Sequence, residues 1–291
     1  MEYTTLGGTG ATVSRLGFGG ATLGLANYVE EFDPADAATH ARSVSAIETA
    51  LDAGVNYFDT APGYGAGISE RVFGEALQGV TTVGDHRLFV ATKVSPQTAP
   101  DDLRVSLESS LERLRRDRIE LLQLHGSSYS TEDVDRLLRP GGLVEQLVAA
   151  RDEGLIGAVG FTSEDTNDGV YRLIRSGAFD AVQLCYNLIY QHPYDPSRPY
   201  GSMIVAEDRG LGIITMRTST SGIFQRWVQA VNPNNTFDYT PALIQFVLSN
   251  PLVDVALVGM RTPDEVRANV ALVNDRSGRI DLGRMHERYV R

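Results

Sequence analysis

Short, almost unbroken apolar runs recur along the chain at residues 15–20, 57–60, 87–94, 119–125, 156–161, 181–187, 211–216 and 253–258. Apolar on both faces, they predict strands of a parallel sheet covered on both sides. Between them the apolar positions change to helical spacing. Residues 41–52, a segment opening at Ser69 with Val72, Phe73, Ala76 and Leu77 on one face, and 101–115 with Leu103, Leu107, Leu111 and Leu114 all predict amphipathic helices. Further helices are predicted at 130–138, 143–153, 166–176, 241–249 and 263–273, with a weaker one at 202–209. Gly54 and Gly154 stand where two of these helices end, the position that favours glycine. Eight strand–helix units predict a (β/α)8 TIM barrel.

Two additions flank the repeat. Residues 3–6 and 11–14 around Gly7-Gly8-Thr9-Gly10 read as a β-hairpin that plugs the N-terminal face, and 281–291 reads as an extra C-terminal helix. No Pro/Ser-rich linker divides the sequence, so residues 1–291 are expected to form a single domain. A two-domain dinucleotide fold is disfavoured, because no Gly-x-Gly-x-x-Gly follows a strand.

Composition narrows the class. Hydrophobic content of 42% with 22% charged residues suits a globular protein with a substantial core. A net charge of −11 argues against nucleic acid or an anionic membrane as partner and leaves a small molecule. Cys185 is the only cysteine, which excludes an internal disulfide; its apolar neighbours predict a buried small hydrophobe. The N-terminus lacks the pattern of a signal peptide and no apolar run reaches the length of a membrane span, so a cytoplasmic location is expected. No metal site is expected.

The chemistry lies where the apolar runs stop. Asp59 follows Val55-Asn56-Tyr57-Phe58, Lys93 follows Leu88-Phe89-Val90-Ala91-Thr92, and His125 follows Ile119-Glu120-Leu121-Leu122-Gln123-Leu124. Three successive strands thus deliver an acid, a cation and an imidazole at one end of the sheet, beside Tyr64. Singly, each reads as a turn or surface residue; jointly they lie where barrels place active sites. An ammonium next to a phenol favours the phenolate and lowers its pKa, a carboxylate holds the ammonium, and an imidazole orients a carbonyl or relays a proton. Such a set donates a proton to a carbonyl oxygen.

A second feature follows the eighth strand. In Val258-Gly259-Met260-Arg261-Thr262-Pro263-Asp264-Glu265, Thr262 fits an N-cap, Pro263 the first helical position and Glu265 the capping-box acid. The helix start and Arg261 together suit a phosphate, while Asp264 and Glu265 oppose one. Arg217, Ser219, Thr220, Ser221 and Gly222 give a donor-rich loop after strand seven.

Five stretches resemble the aldo-keto reductase superfamily over nearly the whole chain. They are Leu6-Gly7-Gly8-Thr9-Gly10-Ala11-Thr12-Val13-Ser14, Gly54-Val55-Asn56-Tyr57-Phe58-Asp59-Thr60-Ala61-Pro62-Gly63-Tyr64-Gly65, Ala91-Thr92-Lys93-Val94, Leu121-Leu122-Gln123-Leu124-His125 and Val182-Gln183-Leu184-Cys185-Tyr186-Asn187. The resemblance implies a catalytic tetrad of Asp59, Tyr64, Lys93 and His125, with a nicotinamide cofactor lying across the barrel mouth and Tyr64 as general acid. It implies that Gln183 contacts the nicotinamide carboxamide, with Thr162 and Ser163 in place of the usual Ser-Asn pair. It places Met216 where an aromatic ring often stacks and Arg217 where one subset carries Lys; Ser219, Gly222 and Gly259 lie in the loops after strands seven and eight, where barrels of this type often bind phosphate. Asn269 matches an adenine-recognising position and Arg261 a 2′-phosphate position, whereas Glu265 stands where many members carry Arg or Gln. NADP(H) is therefore expected over NAD(H).

The expected activity is NADPH-dependent reduction of an aldehyde, ketone or sugar carbonyl. Two alternatives are a cofactor-binding sensor subunit of the channel β-subunit type and a barrel isomerase or lyase. The substrate lining is expected from loops at 25–32, 126–130, 190–200 and 224–237, whose Tyr28, Tyr129, Tyr190, Tyr194 and Trp227 either stack on a ring or pack the loops.

Overall fold

In the computed structural model, which describes residues 1–195 and 200–287, the apolar runs close into one barrel. In chain order the strands are β1 (Tyr3–Thr5), β2 (Thr12–Ser14), β3 (Leu16–Gly19), β4 (Tyr57–Asp59), β5 (Thr82–Val83), β6 (His86–Arg87), β7 (Phe89–Val94), β8 (Ile119–His125), β9 (Ile156–Ser163), β10 (Ala181–Cys185), β11 (Gly212–Met216) and β12 (Val255–Gly259). The helices are α1 (Ala21–Gly24), α2 (Ala37–Asp52), α3 (Ile68–Ala76), α4 (Leu103–Leu114), α5 (Thr131–Leu138), α6 (Leu143–Asp152), α7 (Asp168–Arg175), α8 (Ser202–Asp208), α9 (Ile223–Val231), α10 (Thr240–Leu248), α11 (Pro263–Asn274) and α12 (Leu282–Glu287). Eight strands, ordered β3-β4-β7-β8-β9-β10-β11-β12 and back to β3, pair in parallel throughout. The expected (β/α)8 architecture is the observed one.

The apolar residues separate into two cores, as a closed barrel requires. Outward-facing strand residues such as Phe18, Phe58, Val90, Leu122 and Phe161 pack beneath the helices. Inward-facing ones, among them Tyr57, Phe89, Leu121, Ile214 and Val255, fill the lower barrel together with Leu6 and Val13 of the N-terminal hairpin. That hairpin, β1 paired antiparallel with β2, closes the N-terminal face as expected. Its fit depends on glycine: a Cβ on Gly7, whose φ is +40°, would lie 2.0 Å from the Gly212 nitrogen. With its N-terminal end stoppered, the barrel is open to ligand at the strand C-termini.

Caps fix several helix starts. Thr262 accepts from the Glu265 nitrogen while the Glu265 carboxylate reaches back to the Thr262 nitrogen, forming the expected capping box with Pro263 at the first helical position. Ser130 and Asp133 form another before α5. Helix α2 opens four residues earlier than its apolar spacing indicates, because Asp36 caps the Thr39 nitrogen.

Other differences are local. The third strand starts at Phe89, since residues 82–87 turn back as the small β5–β6 hairpin. Segment 224–237, expected as a loop, contains most of α9, an amphipathic helix with no fully buried residue. The C-terminal helix is present as α12; residues 288–291 of its expected span, and 196–199 of the expected substrate loop, lie outside the described residues. Cys185 is buried, and burial pushes its thiol up to about 12, as befits a packing residue.

Candidate active site

Alternation along three barrel strands builds the site. Asp59 ends β4, Lys93 lies one residue before the end of β7, and His125 ends β8. Side chains two apart on a strand share a face, so these three and Gln123 project toward the barrel axis and its mouth. Lys93 Nζ donates to Asp59 Oδ1 at 2.5 Å and to the Thr60 carbonyl at 2.8 Å, with both charged residues buried. Gln123 Nε2 donates to the other Asp59 oxygen at 3.0 Å and to Gln183 Oε1 at 3.2 Å. Gln183 Nε2 in turn points at Met216 Sδ, 3.7 Å away. One hydrogen-bonded path therefore joins the Lys93–Asp59 pair to residues on the sixth and seventh barrel strands.

Tyr64 stands in the turn between β4 and α3. A Cβ on Gly24 would lie 2.3 Å from the Tyr64 carbonyl, and one on Gly65, at φ +66°, 2.1 Å from the Gly24 carbonyl. This close backbone approach sets the tyrosine over the mouth. Its ring lies beneath the Lys93 ammonium, 4.9 Å from centroid to Nζ, and meets His125 edge to face at 5.6 Å. Tyr64, Asp59 and His125 all line the same cleft of about 370 Å³. The structure thus brings together the four residues expected to act jointly.

The electrostatics depart from the sequence expectation at Tyr64. Burial raises its pKa, Lys93 pulls it down and Asp59 raises it, with a net upward shift. The low-dielectric surroundings outweigh the ammonium, so Tyr64 is held in its protonated form. Burial draws the Lys93 pKa down, but Asp59 and Tyr64 carry the net shift upward. Burial likewise raises Asp59 against the pull of Lys93 and Gln123. His125 is lowered to about 4 by burial and then by Lys93, which leaves the imidazole neutral at physiological pH. A protonated phenol and a neutral imidazole face one cleft, with the ammonium fixed and buried behind the phenol ring.

The cleft continues along the strand ends. Met216, Arg217, Ser219, Gly222, Gly259, Arg261 and Glu265 line it. A second lobe, sharing Glu30, Ser219, Gly222, Gly259 and Glu265, reaches Asn269. Arg217, Thr220, Ser221 and Gly222 all hold left-handed backbone, a strained wall braced by Asn187 Nδ2 donating to the Arg217 carbonyl at 2.9 Å. Arg217 pairs with Glu164 at 2.7 Å. Arg261 is buried, pairs with Glu30 at 2.8 Å, donates from Nε to the Thr22 carbonyl at 3.0 Å and stacks on Phe32 at 4.0 Å. Its Nη2 is buried without a partner among the described residues. Glu265 accepts from the Arg261 and Thr262 nitrogens, so its carboxylate is turned into the helix cap.

Two expected cofactor residues are placed differently. Thr162 and Ser163 are buried and absent from the cleft lining; their hydroxyls donate to the carbonyls of Gly126 and of Ser127 and Asp165. Among the expected ring-stacking residues, Tyr28 lines the cleft. Tyr129 instead donates to the Thr162 carbonyl and packs edge-on against Phe161, while Trp227 is exposed on α9 outside both lobes. Sequence reasoning passed over Gln123, although it sits two residues before His125 and so shares its barrel-facing side. It also passed over Thr22, on the short helix α1, and Glu30, in the irregular segment that follows, neither of which carries a periodic signature.

Comparison with known proteins follows the same lines. A model of the aldo/keto reductase family matches residues 15–242. L-galactose dehydrogenase of Arabidopsis thaliana is 27% identical, covering 94% of this chain and 89% of that protein. NADH-specific methylglyoxal reductase of Escherichia coli is 26% identical, covering 99% and 98%. A crystal structure of an aldo/keto reductase from Klebsiella pneumoniae in complex with NADP and acetate superposes with a TM-score of 0.73 at 21% identity, covering 99% of this chain and 94% of that one.

Proposed function

The chain belongs to the aldo/keto reductase family, and from that premise we propose that it is a nicotinamide-dependent oxidoreductase reducing the carbonyl of an aldehyde, ketone or sugar to an alcohol. The observation that carries this reading is Tyr64 at the cleft beside the buried Lys93–Asp59 pair and the neutral His125. When bound, the dinucleotide supplies hydride to the carbonyl carbon. Every other part falls to the chain. His125, uncharged, donates a hydrogen bond that orients the carbonyl oxygen. Tyr64, kept protonated by burial, gives its proton to that oxygen as negative charge builds there, which is general acid catalysis. Lys93 stabilises the phenolate left behind; Asp59 and the Thr60 carbonyl hold Lys93 in place, and Gln123 holds Asp59.

The donor set fits a dinucleotide. Gln183 and Met216 would hold the nicotinamide end; Arg217, Ser219, Gly222 and Gly259, which line the cleft, would hold the diphosphate; and Asn269 in the second lobe would meet the adenine. The orphaned Arg261 Nη2 supports an anionic oxygen at that end, hence NADP(H) as the preferred cofactor with NAD(H) accepted. The Klebsiella structure holds NADP, while the Escherichia coli relative is by its name NADH-specific. The reading places this chemistry in a single domain over residues 1–291.

A panel of aldehydes, ketones and aldoses, followed at the nicotinamide absorbance with each cofactor, tests it. Cofactor oxidation matched by alcohol formation is the expected result. Failure to bind either dinucleotide would instead favour a barrel isomerase or lyase.

A further inference from the structure

The Arg261 guanidinium is fixed on two sides yet its counter-ion is not. Thr22 holds Nε, Phe32 covers one face, and the side chain is 9% exposed, whereas the Glu30 side chain paired with it is 68% exposed. Glu30 belongs to a segment laid across the cleft: Tyr28 Oη lies 3.4 Å from Ser221 Oγ on the opposite wall. Glu30 lines both lobes of the groove. The other nearby carboxylate, Glu265, is committed to the α11 cap. One exposed anion thus faces one buried, anchored cation, at the place where the two lobes meet.

We propose that Glu30 is the specificity-determining residue for the cofactor, occupying the anion position of Arg261 and opposing the 2′-phosphate of NADP(H). This rests on the oxidoreductase reading above and deepens it. A 2′-phosphate drawn to the buried Nη2 meets the Glu30 carboxylate already on Nη1, so repulsion between the two anions opposes it until that carboxylate moves away. A ribose 2′-hydroxyl needs no such exchange, since it donates to the carboxylate where it stands. Arg261 consequently favours the phosphorylated cofactor less than an unpaired arginine would, and both cofactors are admitted.

Glu30→Gln keeps the size and the reach of the side chain while removing its charge. Calorimetric titration of the whole protein with NADP+ and with NAD+ reads the effect without turnover. The expected outcome is NADP+ binding tighter by about tenfold, the scale of one charge-assisted contact, with NAD+ unchanged or weaker. In an Arg261→Gln background, Glu30→Gln should leave the NADP+ to NAD+ ratio where it was. Equal changes for both cofactors would show that Glu30 only ties down its loop and would overturn the proposal, as would no change. If wild type binds neither dinucleotide, the oxidoreductase reading falls with it; if it binds both and the ratio ignores Glu30, only this inference falls.

Discussion

Lys93 donates to Asp59 across 2.5 Å in a buried pair, and Lys93 is the only lysine in the chain. Its ammonium can therefore be followed alone, by NMR of lysine-labelled protein. With Asp59 in place its pKa lies above the ordinary lysine value. The stabilisation it lends is accordingly full below the unfolded pKa and is lost as pH rises through the folded one.

Asp59→Asn removes the largest influence that raises that pKa and leaves burial, which lowers it. The single lysine resonance should then titrate at lower pH than in wild type, and denaturant unfolding should show a loss of about 3–5 kcal/mol, the scale for breaking a buried pair. An unmoved titration would mean that Asp59 does not hold the ammonium charged.

Gln123 donates from one amide nitrogen to both Asp59 and Gln183. Gln123→Leu keeps the volume and strips both bonds, leaving buried acceptors short of a donor at a cost of about 1–3 kcal/mol. Cofactor affinity should weaken through Gln183 and the pH–rate profile should shift through Asp59. If the variant loses stability alone, Gln123 is packing and no more.

His125 gives a pH signature. The unfolded ring takes up a proton near the ordinary value of 6.5, whereas the folded ring resists until about 4. The folded chain thus binds fewer protons between those values, so this contribution is full above pH 6.5 and falls as the pH drops toward 4. Asp254, pushed up to about 6 chiefly by burial, acts in the opposite sense. The comparison between wild type and His125→Gln separates them: the variant should lose less stability on acidification across that window. Parallel curves would contradict the lowered imidazole pKa.

What the sequence made legible follows from what is local. Strand positions were readable because barrel strands are apolar on both faces, and the start of α11 because Thr262, Pro263 and Glu265 lie within four residues. Asp59, Lys93 and His125 could be gathered because each ends an apolar run. Helix α9 was not readable as one, since its apolar residues pack on little and none is fully buried. The Arg261–Glu30 pair joins residues 231 apart through a loop without periodicity, and no local pattern announces it. The sign of the Tyr64 shift is illegible in the sequence for a related reason: an ammonium is visible there, but the burial that outweighs it belongs to the closed barrel.

The central claim is that Tyr64 donates the proton, and Tyr64→Phe tests it most directly. The measurement is kcat/KM for a carbonyl substrate identified by the panel, beside the dissociation constant of the cofactor. Loss of the hydroxyl should lower kcat/KM by about two orders of magnitude or more, while cofactor affinity stays at the wild-type value. A Tyr64→Phe enzyme that keeps most of its turnover would contradict the account.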